Sequence, residues 1–341
     1  MPSRADTEKD RVLTVSHLRT VFDADHGAVV SVDDVSFGLD AGETLAIVGE
    51  SGSGKSVTAL SIMRLLGKSG RVESGQIRLG DADLLACGDK ELERIRGNRI
   101  SMIFQEPMTS LNPVFTVGYQ LTEAIRLHLL PDKRKARAYA VEMLRKVKLP
   151  QPERIMDEYP FALSGGMRQR VMIAMALACK PEVLIADEPT TALDVTVQAQ
   201  IMRLVKELCA ETGTAVILIT HDLGVVAEMA DRVAVMYAGQ VVEDTDVFTL
   251  FESPQHPYTQ GLLGSIARLE ADGDSRLVPI PGTVPSRYEQ VKGCRFHDRC
   301  PLARENCLDH APPLLAVEDG HSARCWYGDE AGMKWRRERH G

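Results

Sequence analysis

Leu45-Ala46-Ile47-Val48-Gly49-Glu50-Ser51-Gly52-Ser53-Gly54-Lys55-Ser56-Val57 decides the fold. Four apolar residues run into a glycine-rich loop of the form G-x-x-x-x-G-K-S, and a helical pattern begins at Val57-Thr58-Ala59-Leu60. Strand, loop and helix in that order are the setting in which such a loop cradles phosphate. The glycines let backbone N–H groups close on phosphate oxygens, and the helix N-terminus adds positive potential. Lys55 is expected to reach the β- and γ-phosphates and the Ser56 hydroxyl to ligate Mg²⁺. ATP or GTP binding follows, with Gly49, Glu50, Ser51, Gly52, Ser53, Gly54, Lys55, Ser56 and Val57 as the contact set.

On either side of this loop the chain alternates short apolar runs with longer amphipathic stretches. Thr44–Val48, Ile100–Phe104, Val183–Ala186, Ala215–Thr220 and Val233–Tyr237 suit strands buried on both faces of a parallel sheet. Lys55–Leu66, Thr116–His128, Arg134–Val147, Ser164–Cys179 and Thr196–Ala210 have helical spacing, so the pattern is α/β. Val183-Leu184-Ile185-Ala186-Asp187-Glu188 ends on two carboxylates whose side chains diverge along a strand. Asp187 is assigned to Mg²⁺ and Glu188 to the attacking water, as general base or as the group that polarises it.

Charge and hydropathy narrow the classes further. A formal net charge of −8 gives no field toward polyanions, so nucleic acid is not an expected partner. The longest unbroken apolar run, Val171–Cys179, is far short of the roughly 20 residues a spanning helix needs. Met1–Asp10 is rich in charge with no apolar run behind it, which sets the cytoplasm as the expected compartment. Past residue 250 prolines break the chain into short pieces, and four of the seven cysteines fall between Cys294 and Cys325.

Between the phosphate loop and the acidic strand lies Leu163-Ser164-Gly165-Gly166-Met167-Arg168-Gln169-Arg170, and here the sequence resembles the nucleotide-binding subunits of ABC transporters. The resemblance implies that Ser164, Gly165 and Gly166 contact the γ-phosphate of ATP held by an opposite subunit. It also implies that Gln105 senses Mg²⁺ and faces the membrane partner, that Asp194 lies in the loop crossing the dimer interface, and that His221 contacts the γ-phosphate. Phe22 is the candidate for stacking on adenine, although many relatives carry Tyr there. Ser253-Pro254-Gln255-His256-Pro257-Tyr258-Thr259 is similar to the tail of dipeptide and oligopeptide permease ATPases, a branch shared with nickel, glutathione and some sugar importers.

The implied organisation is a P-loop ABC ATPase domain over residues 1–250, with a helical subdomain at about 110–162, and a small Cys-rich extension over 251–341. The implied protein hydrolyses ATP at the cytoplasmic face of a membrane to power peptide uptake. Two transmembrane permease subunits, a second ATPase subunit (a homologue or a second copy) and an extracytoplasmic binding protein would be its partners. A soluble ABC-type ATPase acting on ribosomes or DNA is the rival; it would call for tandem cassettes or a coiled-coil insertion, and neither is in the sequence.

Cys294, Cys300, Cys307 and Cys325 sit among pieces too poor in apolar residues to promise a core of their own, so their order is expected to depend on ligation. Their spacings lack the paired C-x₂-C knuckles usual for zinc. Some members of the resembling branch carry a [4Fe–4S] cluster in this tail, which makes the cluster the expectation and zinc the alternative. His297, His310 and His321 are expected at the surface, Cys87, Cys179 and Cys209 in the core, and the tail is expected to act apart from the nucleotide chemistry.

Overall fold

The computed structural model describes residues 11–25, 27–105, 110–191, 193–265, 280–285 and 287–340, with side chains up to 337. The chain divides into two compact units, the described residues of 1–38, 45–85 and 220–341 in one and those of 39–44 and 86–219 in the other.

In the first unit, β1 (Arg11–Ala24), β2 (Gly27–Asp40), β4 (Gly70–Leu79) and β5 (Ala82–Asp83) form a sheet in the order β2-β1-β4-β5. Alternation places Leu13 and Val15 inward, opposite Leu79 and Ile77. Gly75 is required in this sheet, because a Cβ there would lie 2.7 Å from both the His17 carbonyl oxygen and Leu18 Cα. A second set of strands holds the phosphate loop: β3 (Thr44–Val48) runs parallel to β9 (Arg232–Tyr237), which turns through Ala238-Gly239 into β10 (Gln240–Asp246). Beyond β10 come β12 (His321–Ala323) and then β11 (Leu315–Glu318), both antiparallel. The C-terminal extension therefore completes the sheet that carries the loop.

In the second unit, β6 (Ile100–Ile103), β7 (Val183–Asp187) and β8 (Ala215–Ile219) are parallel in the order β8-β7-β6, and every residue in them is buried. That is the reason the sequence runs show no alternation. Helices Val117–His128, Lys133–Lys146, Gly165–Leu177 and Val195–Thr212 each start on a side-chain cap, from Thr116, Asp132, Ser164 and Asp194. The first helix of the chain ends at Ile62, earlier than its pattern suggests, because Arg64 turns the backbone left-handed at φ 50°. No described helix is long and apolar enough to cross a membrane.

The tail is richer in core than its composition implied. Tyr258, Tyr288, Phe296 and Trp335 are buried in one cluster with Val48, Val235 and Tyr237 of the strands that flank the loop. His321 also departs from its expected surface position: it is 3% exposed, and its Nε2 pairs at 2.8 Å with Glu243, which is fully buried. Glu243 accepts two further bonds, from the backbone N–H of Gln255 at 2.6 Å and of His256 at 2.9 Å, so the buried carboxylate is satisfied. His310 is exposed as expected and His297 is half-buried, while Cys87, Cys179 and Cys209 are core residues.

Candidate nucleotide site and cysteine tail

In the first unit the loop leaves β3 at Gly49, where φ is 153° and a Cβ would lie 2.2 Å from the Met236 carbonyl oxygen. Gly54 has φ 102° and closes to within 2.6 Å of the Ser31 carbonyl oxygen at its Cβ position. Only glycine fits either place. Lys55, 6% exposed, donates from Nζ to the carbonyl oxygens of Gly49 at 2.8 Å and Glu50 at 2.9 Å, so its charge is held at the mouth of its own loop. Ser53 is fully buried, Ser51 and Gly52 are exposed, and half-buried Ser56 and Val57 lie in the first turn of the helix Lys55–Ile62.

The same unit contains Phe22 and His221. Phe22, half-buried, faces Gly70 across the sheet, and its ring packs so closely on that glycine that a Cβ there would meet Cε1 at 2.7 Å. His221 is exposed, directly before Asp222, which caps the helix Leu223–Met229 through Gly224 N at 2.9 Å.

The second unit holds the acidic strand. Asp187 is 4% exposed at the end of β7, and Glu188 follows with a left-handed backbone at φ 45°. Such a conformation costs a non-glycine residue of order 1–3 kcal/mol and is held only by its surroundings. Here the Glu188 N–H donates to the Ile219 carbonyl at 2.9 Å, while its Oε2 accepts from Gln105 Nε2 and Thr191 Oγ1, each at 3.0 Å. Gln105, which follows β6, keeps its amide oxygen as an acceptor. Thr191 was not singled out in the sequence; its place three residues after Glu188 across Pro189 is the signal that could have found it.

Ser164 and Asp194 cap neighbouring helices in this unit. The Ser164 hydroxyl accepts from Met167 N at 3.3 Å and Asp194 from Val197 N at 3.0 Å. A Cβ on Gly166 would meet Val197 Cγ1 at 3.2 Å, and one on Gly165 would meet Leu193 at 3.6 Å, so the two helix starts pack together through the glycines. Ser164 and Gly165 remain exposed. The Ser56 hydroxyl, Gln105 amide oxygen and Asp187 carboxylate are the hard oxygen donors that Mg²⁺ prefers.

In the tail, Cys294, Cys300, Cys307 and Cys325 all line one cavity, beside His256 and Phe296. The Cys294 N–H donates to the Cys307 carbonyl at 2.8 Å, tying the two segments together. Burial pushes the Cys300 thiol up to about 11 and Cys325 up to about 12, and raises Cys294 as well. Among the described residues no group of three or more His, Cys, Asp or Glu stands in the arrangement of a metal-ion site. The donors that line the cavity are four thiols and the imidazoles of His256 and His297, with no carboxylate among them.

The tail also reaches the phosphate loop, against expectation. Arg299 donates to both carboxylate oxygens of Glu50, at 2.7 and 3.0 Å, and the Glu50 N–H donates to the Tyr258 hydroxyl at 2.8 Å. Neither Arg299 nor Tyr258 was a sequence candidate; Tyr258 belongs to the H-P-Y-T stretch, and Arg299 stands directly before the candidate Cys300.

Comparison with known proteins gives the class. Residues 32–191 match the family model described as ABC transporter, and residues 242–307 match the oligopeptide/dipeptide transporter C-terminal region. The oligopeptide transport ATP-binding protein AppD of Bacillus subtilis is 52% identical over 95% of this chain and 98% of its own length. The dipeptide transport ATP-binding protein DppD of Escherichia coli is 47% identical over 94% and 98%. Among solved structures, the dimeric bacterial ABC transporter cassette MJ0796 superposes with a TM-score of 0.62 at 29% identity, covering 69% of this chain and 98% of that one. The fold and these matches define an ABC ATPase. The chain belongs to the family of ATP-binding proteins of oligopeptide and dipeptide ABC transporters.

Proposed function

We propose that this chain is the subunit whose ATP hydrolysis drives uptake of dipeptides or oligopeptides through a membrane importer. The observation that carries the cargo class is the match of residues 242–307 to the oligopeptide/dipeptide transporter C-terminal region, in a chain about half identical to peptide-transport relatives along nearly its whole length. Residues 1–250 supply the ATPase and residues 251–341 the extension of this branch.

The roles follow from side-chain chemistry. Lys55 and the loop N–H groups bind the phosphates, and Phe22 stacks on the base. Ser56, Gln105 and Asp187 hold Mg²⁺, which neutralises phosphate charge. Glu188, oriented by Gln105 and Thr191, takes the proton from the attacking water, and His221 contacts the γ-phosphate. Ser164, Gly165, Gly166 and Asp194 act across an interface with a second ATPase subunit, a reading supported by the exposed capped helix start and by the dimeric MJ0796 cassette. Cys294, Cys300, Cys307 and Cys325 hold a [4Fe–4S] cluster, supported by their convergence on one cavity. The subunit works at the cytoplasmic face, bound to two permease subunits that receive substrate from an extracytoplasmic binding protein.

Co-expression with two permease subunits and a second ATPase, followed by purification and ATPase assay with peptide-loaded binding protein, tests this. The expected result is a stable complex whose hydrolysis rises with peptide-loaded binding protein. A chain that purifies alone and hydrolyses ATP at an unchanging rate whatever is added would contradict it.

A further inference from the structure

Glu50 is the one carboxylate within the phosphate loop, in a place that must accept a polyanion. An unpaired negative charge there would repel the phosphates that Lys55 and the loop N–H groups attract. Arg299 removes that conflict: its guanidinium, 5% exposed on the side-chain scale, takes both Glu50 oxygens in a bidentate pair. It is held for the task by Nε donating to the Pro281 carbonyl at 2.7 Å and by packing near the Tyr237 and Phe296 rings. Tyr258, fully buried, fixes the backbone of the same residue, with its ring 4.6 Å from that of Tyr237 and 5.4 Å from that of Phe296. The carbonyl of Glu50 then accepts from Lys55 Nζ, so the chain of contacts runs from the tail through Glu50 to the phosphate-binding lysine.

We propose that Arg299 and Tyr258 are positioning residues for nucleotide binding, by which the C-terminal tail holds the phosphate loop and neutralises its carboxylate. The proposal rests on the loop being the ATP site. Arg299 directly precedes Cys300 and Phe296 lines the thiol cavity, so the clamp sits in the same segment as the cysteines.

The test is MgATP affinity by calorimetry on the purified full chain, with thermal stability measured beside it. Arg299→Met is expected to weaken binding about tenfold or more, as for loss of one partner of a charge-assisted pair. Adding Glu50→Gln to that variant should recover most of the loss, because the stranded charge is gone. Tyr258→Phe keeps the ring and removes only the acceptor of the Glu50 N–H, and is expected to cost about three- to tenfold with little change in melting temperature. Arg304→Gln, which breaks an exposed tail pair with Glu330, should leave affinity unchanged. A double variant no better than Arg299→Met alone, or Tyr258→Phe binding as the unsubstituted chain does, would overturn the proposal. If Arg299→Met fails to fold, Tyr258→Phe decides by itself. Lys55→Ala separates the levels: if it binds MgATP normally, the nucleotide site has been misplaced, not the clamp.

Discussion

Glu188 combines a left-handed backbone with a carboxylate oriented by two donors, Gln105 and Thr191. A carboxylate so held is directed at a task, and its loss should separate binding from chemistry. Glu188→Gln preserves shape and is expected to leave MgATP affinity nearly unchanged while slowing turnover about 10²- to 10⁴-fold, read by single-turnover hydrolysis in the assembled transporter. Lys55→Ala should instead lower affinity itself, measured by calorimetry, because the proposed role of its ammonium is to hold the phosphates before any chemistry. The strand, glycine-rich loop and helix around Lys55 were legible in the sequence, since the motif sets glycine, lysine and serine at fixed spacings within a few residues. The Arg299–Glu50 pair was not, because its partners stand 249 residues apart and no local pattern records that contact.

At the level of elements, β12 and the turn around His256 bring charge into the core of the first unit. Burial pushes His256 down to about 4, with Glu243 opposing and Arg324 reinforcing the shift, and its Nδ1 accepts the Tyr258 N–H at 3.1 Å. Since the folded value lies below the unfolded 6.5, stability from the neutral ring is present above pH 6.5 and is lost as pH falls toward about 4. The full loss is of the order of 3 kcal/mol. The melting temperature should fall across that window, and less steeply in His256→Gln; equal slopes would contradict the assignment. The thiol cavity makes a separate prediction. Anaerobically purified chain should be brown with about four irons, and Cys300→Ser should lose the colour; about one zinc in a colourless chain would support the zinc alternative. The five strands buried on both faces were readable as short unbroken apolar runs and the longer helices by their helical spacing, whereas β1, β2 and β4 were not picked out. The tail's core was not, because Tyr258, Tyr288, Phe296 and Trp335 are scattered through proline-broken sequence and pack only by tertiary contact.

At the scale of the whole molecule, the phosphate loop lies in one unit and Asp187, Glu188 and the Ser164-capped helix in the other. An exposed Ser164 makes sense when its anion comes from another subunit, so hydrolysis should rise more than linearly with ATPase-subunit concentration. Ser164→Arg should abolish that rise while leaving MgATP binding in place. The most direct measurement is uptake of a labelled peptide by proteoliposomes holding this chain, its partner ATPase and the two permease subunits, with binding protein on one side and MgATP on the other. Uptake should require MgATP and vanish with Glu188→Gln here and at the corresponding glutamate of the partner. Equal uptake without ATP, or with both glutamates replaced, would contradict the assignment of this chain as the subunit that powers peptide import.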